Sequence, residues 1–204
     1  MAMTLLYPDS RSEQLDMERE VTGPDAVLIN PRKKSFDEIE LSAWENCDGI
    51  VVARVPIDAK VLSHLKKARI VVRNGVGYDS VDLETAGKLG IAVCNVPDYG
   101  TTEVADTAIA MMLTFARGTS VLNAALKADL AGSWNPMVNV TGRRLRGATF
   151  GVIGLGRIGT AAALRARAFG MDVAFYDPLL PNGADLSFGF TRAWSLESLL
   201  GMSD

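Results

Sequence analysis

Short apolar runs alternate with segments of helical periodicity along the first half of the chain. The runs are rich in Val, Ile and Leu and bounded by turn residues, which is typical of strands that are buried on both faces. The predicted strands are residues 3–7, 27–29, 49–53, 69–72 and 91–94. The segments between them predict a turn and a polar helix over 8–23 and helices at 36–44, 58–65 and 82–89, the one at 36–44 with Ser35 as its N-cap. This alternation predicts an α/β fold with a parallel sheet covered on both faces.

Pro97 marks a predicted domain boundary, because the pattern changes from short elements to a long helix. That helix is predicted over Thr101–Arg117, and a second over 121–130. Residues 137–147 then read as a loop carrying a cluster of arginines: Arg143, Arg144 and Arg146. A solvated or subunit-facing surface is favoured over contact with nucleic acid. The predicted division is 1–98 for the first domain, 99–147 for linking helices and a dimerisation arm, and 148–204 for a second domain.

A glycine-rich turn between two apolar runs begins the second domain. The strand Thr149–Ile153 leads into the spacing G-x-G-x-x-G, a helix is predicted over Arg157–Phe169, and the second strand, Val173–Tyr176, ends in Asp177. The residues of the turn are Gly154, Leu155, Gly156, Arg157, Ile158 and Gly159. Strand, glycine turn, helix, strand and acid in this order form the fingerprint of a dinucleotide site.

Each glycine of that turn has a physical role in this interpretation. Gly154 permits the tight turn, Gly156 lets a pyrophosphate approach the backbone, and Gly159 lets the helix pack closely on the strand. The helix N-terminus offers N–H groups and its dipole to the phosphates, with Arg157 and Ile158 beneath them. Asp177 would bind the ribose hydroxyls and repel a 2′-phosphate, which favours NAD over NADP. Two alternatives stay open: glycines that only make a turn, and a site for a methyl-donor nucleotide.

Composition narrows the class of protein. The net charge is −3, so bulk attraction to nucleic acid or anionic lipid is not expected. Cys47 and Cys94 do not form a disulfide framework, and the first ten residues do not resemble a signal peptide, so a reduced cytoplasmic protein is predicted. The most apolar stretch, 104–116, is too short to span a bilayer. No metal site is predicted.

Five segments together resemble the D-isomer-specific 2-hydroxyacid dehydrogenases. They are VVRNGVGYDSVDLETAGKLGIAVCNVPDYGTTEVAD (71–106), the linking helix (107–117), LKADLAGSW (126–134), LRGATFGVIGLGRIG (145–159) and AFYDP (174–178). Within the family the chain looks closest to the C-terminal-binding-protein branch, with enzymes like phosphoglycerate dehydrogenase next. The resemblance implies a flavodoxin-like parallel-sheet substrate domain followed by the first part of an NAD-binding Rossmann domain.

The resemblance also implies roles for individual residues. In this family the backbone N–H groups of the loop that matches Asn74, Gly75, Val76 and Gly77 hold the substrate carboxylate, and the residue at Val76 also approaches the nicotinamide. Arg73 matches a position that contacts substrate, and Val104 one that contacts the cofactor. Simpler interpretations are an ordinary turn for the loop, an end-of-strand arginine for Arg73, and core packing for Val104.

The implied reaction is NAD-dependent hydride transfer to or from C2 of a small D-2-hydroxy or 2-keto acid. The hydroxyl proton needs a base with a pKa near neutrality, which suits histidine. The only histidine, His64, matches no catalytic position, so the family's catalytic arginine, glutamate and histidine are expected beyond Asp204. The alternative is a non-enzymatic, NAD(H)-sensing dimeric module of the corepressor type. A hydrolase of the adenosylhomocysteine type is a weaker third interpretation, disfavoured by RNGVGYD. A homodimer through 118–147 is expected in either leading case.

Overall fold

The computed structural model describes residues 2–135 and 142–204, which form two compact units, Met1–Tyr99 and Gly100–Asp204. Residues 137–141 of the predicted loop over 137–147 therefore lie outside the described residues. Each unit has its own parallel sheet, so the predicted α/β class is confirmed.

The first unit is built on a five-stranded parallel sheet. The strand order is β2-β1-β3-β4-β5, which is the flavodoxin-like order. The strands are β1 (Thr4–Leu6), β2 (Val27–Ile29), β3 (Gly49–Val52), β4 (Ile70–Arg73) and β5 (Ala92–Asn95). The order reverses between β1 and β3, and ligands of such sheets bind outside the carboxyl ends of the strands at this kind of switch point.

Four short helices connect these strands: α1 (Asp16–Thr22), α2 (Leu41–Asn46), α3 (Ala59–Ser63) and α4 (Leu83–Lys88). Their buried faces and the central strands enclose the core, whose fully buried side chains include Leu6, Trp44, Ile50, Leu62 and Val71. Asp58 and Asp82 cap α3 and α4 by accepting the N–H groups of Val61 and Thr85 at 2.9 and 3.0 Å.

One helix prediction in this unit was wrong in extent. The helix predicted over 36–44 is a 3-10 turn, Phe36–Glu38, followed by α2 from Leu41, because Ile39 adopts an extended backbone (φ −114°, ψ 136°). The Ser35 side chain accepts no backbone N–H of this segment; its hydroxyl donates to the Glu38 carboxylate at 2.8 Å. The turn and polar helix predicted over 8–23 are present, with α1 as the helix.

The second unit combines two long helices with a three-stranded parallel sheet of order β6-β7-β8. Its helices are α5 (Thr101–Arg117), α6 (Thr119–Ala128), α7 (Arg157–Ala168), α8 (Ala184–Phe188) and α9 (Leu196–Met202), and its strands β6 (Thr149–Ile153), β7 (Asp172–Tyr176) and β8 (Thr191–Arg192). The sequence predicted this order as far as β7, whereas α8, β8 and α9 were not predicted.

Helix α5 packs on α7, where Ile109, Ala166 and Met171 form a small core. The Arg165 guanidinium donates to the Asp106 carboxylate across this contact. Gly118 separates α5 from α6 with a left-handed backbone (φ 61°), and the two helices meet at 60°. Among the described residues no single helix is long and apolar enough to cross a bilayer, although α5 and α6 would pass by length and apolarity as a bent pair.

Candidate functional site

Strand β6 delivers the glycine turn to the carboxyl edge of the second sheet, where α7 begins. Gly156 precedes α7, and no side chain caps the helix there. The first N–H groups of a helix have no partner within it, and the helix dipole places positive potential at this end. Arg157 and Ile158 form the first turn and are exposed. The start of α7 is therefore suited to binding an anion.

The three glycines are required for different reasons. Gly154 has a left-handed backbone (φ 83°), which L side chains rarely adopt. A Cβ on Gly159 would lie only 2.1 Å from the carbonyl oxygen of Gly154, so the helix could not approach its own turn so closely. A Cβ on Gly156 would meet no atom within 4 Å. Gly156 therefore borders open space, as a backbone that a pyrophosphate approaches must.

Asp177 lies beside this turn, at the end of β7. Its carboxylate accepts the N–H groups of Leu155 and Leu179, each at 2.9 Å. The carboxylate is thereby held against the glycine turn, and its remaining lone pairs can accept bonds from a ribose diol. Leu155 itself is buried, which fixes the turn to the core of this unit.

Arg192 on β8 holds the segment that follows Asp177. Its guanidinium donates to the carbonyl oxygens of Asp177, Leu180 and Pro181 at 3.0, 2.8 and 2.8 Å. It also lies over the rings of Phe175 and Trp194, at 5.9 and 4.8 Å from the centroids. Sequence reasoning missed this role, because an arginine in a short unpredicted strand follows no recognisable pattern.

Val104, the remaining predicted cofactor contact, lies in the first turn of α5 with half of its side chain exposed. Core packing therefore does not account for it. The structure describes no ligand contact for Val104, and its cofactor role stays a prediction.

The predicted substrate loop follows β4 in the first unit. The Asn74 N–H donates a hydrogen bond to the Val52 carbonyl at 2.7 Å, and the Gly75 N–H donates to the Arg73 carbonyl at 2.8 Å. Within the described part of the chain, the N–H groups of Val76 and Gly77 have no backbone acceptor. Successive N–H groups in a turn form a concavity that binds anions. A substrate carboxylate could accept hydrogen bonds from these two N–H groups.

Neighbouring residues hold this loop in shape. Asn95, at the end of β5, donates from its side-chain amide to the Val76 carbonyl at 2.7 Å, and the Val96 N–H donates to the Gly75 carbonyl at 3.0 Å. Asp82 stabilises the other end through the α4 cap, and its hydrogen bonds to the Thr85 hydroxyl and N–H hold the pKa of its carboxyl below the usual value. Sequence reasoning missed the role of Asn95, because an asparagine that ends a strand is common.

Arg73 lies across the loop. A Cβ on Gly75 would lie 1.4 Å from Nη1 of Arg73, so the missing side chain of Gly75 provides the space that the guanidinium fills. Nε of Arg73 is buried and has no hydrogen-bond partner among the described residues. An unsatisfied buried donor is costly, so Arg73 is more than an ordinary end-of-strand arginine.

No group of three or more potential metal-ligating side chains occurs within residues 2–135 and 142–204. His64 stacks on the ring of Phe36 with centroids 5.2 Å apart, which is a packing role. The described residues thus provide two loops with anion-binding character, one in each unit.

Comparison with known protein families identifies the class of protein that carries these two loops. The model for the D-isomer specific 2-hydroxyacid dehydrogenase catalytic domain matches residues 10–202. The chain belongs to the D-isomer-specific 2-hydroxyacid dehydrogenases. The resemblance seen in the sequence is thereby confirmed, and NAD is the cofactor that dehydrogenases of this family use.

Individual relatives agree with this family. The chain is 34% identical to a glyoxylate reductase of Korarchaeum cryptofilum over 94% of the chain and 54% of the relative, and 34% identical to C-terminal-binding protein 1 of Caenorhabditis elegans over 74% of the chain and 21% of the relative. The fold matches a D-lactate dehydrogenase of Aquifex aeolicus, solved with NAD and lactic acid, with a TM-score of 0.85 and 27% identity over 98% of the chain and 58% of that protein. The chain therefore spans little more than half the length of the matched glyoxylate reductase and D-lactate dehydrogenase.

Proposed function

We propose that the chain is the substrate-binding unit and the first part of the nucleotide-binding unit of an NAD-dependent oxidoreductase, which transfers a hydride between the nicotinamide and C2 of a small D-2-hydroxy or 2-keto acid. The observation that carries the proposal is the turn Gly154–Gly159, whose uncapped helix N-terminus and adjacent carboxylate, Asp177, fit a dinucleotide.

The residues of the second unit fit NAD. The N–H groups at the start of α7 and the open backbone at Gly156 would hold the pyrophosphate. Asp177 would accept hydrogen bonds from the adenosine ribose, and its charge would exclude a 2′-phosphate. NAD supplies the hydride acceptor or donor. The protein's own part is to hold the cofactor in one orientation, which lowers the entropic barrier to transfer.

The loop Asn74–Gly77 of the first unit would hold the carboxylate of the acid. Its two donors, the N–H groups of Val76 and Gly77, suit a carboxylate because hydrogen bonds to a charged acceptor are strong. Arg73 would add positive charge at the same loop. We expect the proton-transfer histidine and its glutamate, with the family's clamping arginine, in residues beyond Asp204.

The direct test is NADH oxidation by the complete protein with glyoxylate, pyruvate and longer 2-keto acids. We expect at least one of them to be reduced to the D-2-hydroxy acid, and NADPH to serve poorly. The variant Gly77→Pro sharpens the test because it removes a proposed substrate donor, and thermal unfolding checks that this variant still folds. Complete inactivity with every 2-keto acid, in a protein that binds NAD, would contradict the proposal.

That last outcome would favour a second candidate, a non-enzymatic NAD(H)-sensing dimer. Similarity to C-terminal-binding protein 1 favours it. A homodimer through 118–147 is part of both candidates, and α6, which buries none of its residues in the chain itself, supports such a contact. Light scattering with and without NAD would show whether the cofactor drives assembly. The cytoplasmic location stays a prediction.

A further inference from the structure

A cavity of about 610 Å³ opens in the first unit at the carboxyl ends of β1, β3 and β4. It lies at the switch point of the sheet, and Asn74 of the proposed substrate loop lines it. An acid whose carboxylate is held by this loop therefore has room for its remaining atoms in the cavity.

Three arginines from different segments line this cavity: Arg11 after β1, Arg54 after β3 and Arg73 at the end of β4. Among the residues that the structure describes, none of the three guanidinium groups is hydrogen-bonded or paired with a carboxylate. Arg73 has the buried, unpartnered Nε noted above. A guanidinium group binds carboxylates and phosphates through a planar fork of donors, so three such groups around a single cavity are suited to an anion.

Two carboxylates also line the cavity, and one of them is already compensated. Asp9 accepts the backbone N–H groups of Ala53 and Val55, each at 2.9 Å, and that of Arg54. Through these three hydrogen bonds Asp9 fastens the loop after β3 to the loop after β1. With Glu18 on α1, the lining carries two carboxylates against three guanidinium groups. The lining therefore has net positive charge.

We propose that the cavity is a subsite for a second anionic group on the substrate, held by Arg54 and Arg11, so that the substrate is a 2-hydroxy or 2-keto acid with a second carboxylate or a phosphate. This inference rests on the proposed function, because the loop Asn74–Gly77 must hold the first carboxylate. Arg73 stands between the two groups, since it borders both the loop and the cavity.

The test compares two five-carbon acids, 2-oxoglutarate and 2-oxopentanoate, which share the 2-keto acid end and differ in the second carboxylate. Affinities are measured calorimetrically on the complete protein saturated with NAD, in which a keto acid cannot be reduced. We expect 2-oxoglutarate to bind at least about tenfold more tightly, as one charge-assisted hydrogen bond would give. Added salt should reduce this preference. A three-carbon keto acid with a phosphate ester at C3, measured in the same way, distinguishes a phosphate site from a carboxylate site.

Two variants locate the site. Arg54→Gln should remove most of the preference for the dianion without changing the affinity for 2-oxopentanoate. Arg69→Gln, which removes the same charge at the opposite, amino end of β4, should leave the preference intact. Arg54 is exposed, so its replacement should not unfold the protein, and thermal unfolding checks this. Equal affinities of native protein for the mono- and dianions, or a preference that survives in Arg54→Gln combined with Arg11→Gln, would overturn the inference.

NADH oxidation separates this inference from the proposed function. If both keto acids are reduced equally well, the oxidoreductase proposal stands and the anion subsite fails. If neither is reduced but the Arg54-dependent difference in affinity persists, the oxidoreductase proposal fails and the cavity is still an anion site.

Discussion

Two loops of this protein follow a parallel strand and contain glycines, yet they depend on glycine in different ways. In the second unit, the turn Gly154–Gly159 is constrained by backbone: a Cβ on Gly159 would strike the carbonyl of Gly154. In the first unit, Gly75 has a positive φ (157°), and a Cβ there would also strike the end of a flexible side chain, Arg73. The turn Gly154–Gly159 should therefore tolerate little change, whereas part of the cost of a substitution at Gly75 should disappear if Arg73 moves.

The largest expected effect is on Gly159. Gly159→Ala should destabilise the protein by about 1–3 kcal/mol or more, the usual cost of overpacking, because a carbonyl in a tight turn cannot move away. Gly156→Ala is the matched control, since its Cβ meets open space and its backbone (φ −77°) suits alanine. It should retain full stability but weaken NAD binding, because the methyl group occupies the space of the pyrophosphate.

Chemical denaturation and NAD titration of the two variants distinguish packing from binding. If Gly159→Ala were as stable as native protein, the close approach of α7 to its turn would not be what requires glycine there. If Gly156→Ala bound NAD as well as native protein, the pyrophosphate would not lie over Gly156.

The next effect concerns Arg192, whose guanidinium holds the segment that follows Asp177. Arg192→Met keeps the length and apolar packing of the side chain but removes three hydrogen bonds to carbonyl oxygens. We expect a loss of roughly 1–3 kcal/mol in the free energy of unfolding, the range for hydrogen bonds to a charged group, together with weaker NAD binding. Arg144→Met, at an exposed position of the same unit, is the control. If urea denaturation showed that Arg192→Met is as stable as native protein, the hydrogen bonds of Arg192 would not stabilise the segment after Asp177.

The sequence predicted the second unit's loop in detail and the first unit's loop only by resemblance. G-x-G-x-x-G followed by Asp177 is a local pattern in which each residue's requirement comes from backbone geometry, so it can be recognised without the fold. Residues that act across the sheet are different. Asn95, Asp9 and Arg192 meet their partners only because of strand order, and no spacing along the chain brings Asp9 to the loop after β3.

Helix boundaries were the other part that the sequence could not supply. Residues 36–44 carry apolar side chains at helical spacing, but Phe36 and Trp44 both pack in the first core while Ile39 is extended between them. Tertiary packing satisfied the apolar pattern without one continuous helix. Strand β8, with two residues, is too brief for periodicity to mark it.

A smaller effect is expected for Gly75. Gly75→Ala should cost about 1 kcal/mol or more, because a φ of 157° suits glycine and because the Arg73 guanidinium must leave its place over the loop. In a double-mutant cycle, Arg73→Ala should remove the second part of that cost, giving a coupling energy of at least about 0.5 kcal/mol. Stabilities from urea denaturation complete the cycle. Additive effects would mean that Gly75 is required for its own backbone and not for the space that it leaves to Arg73.

The smallest effect concerns pH. The folded-state pKa of Asp82 lies below its unfolded value near 3.8, mainly because of hydrogen bonds from Thr85. Its contribution to stability is therefore complete above that pH and is lost as pH falls through the folded pKa. Asp82→Asn should lose less stability than native protein as the pH falls through this window. Thermal unfolding of both proteins, over about two pH units below pH 5, measures this. An unchanged pH profile would assign the acid sensitivity to other carboxylates, such as Asp48, whose pKa is also lowered.

The most direct test of the central assignment is the affinity of the complete protein for NAD and NADP, in native form and as Asp177→Asn. The asparagine removes the charge and keeps one oxygen, which can accept from Leu155 or from Leu179 but not from both, because the two N–H groups bond to different carboxylate oxygens. Thermal unfolding checks that the turn survives. We predict that native protein prefers NAD by about 1–3 kcal/mol, the range for hydrogen bonds to a charged group, and that Asp177→Asn loses most of this preference. Equal binding of both cofactors by native protein, or a preference unchanged in Asp177→Asn, would contradict the assignment of Gly154–Asp177 as the site for NAD.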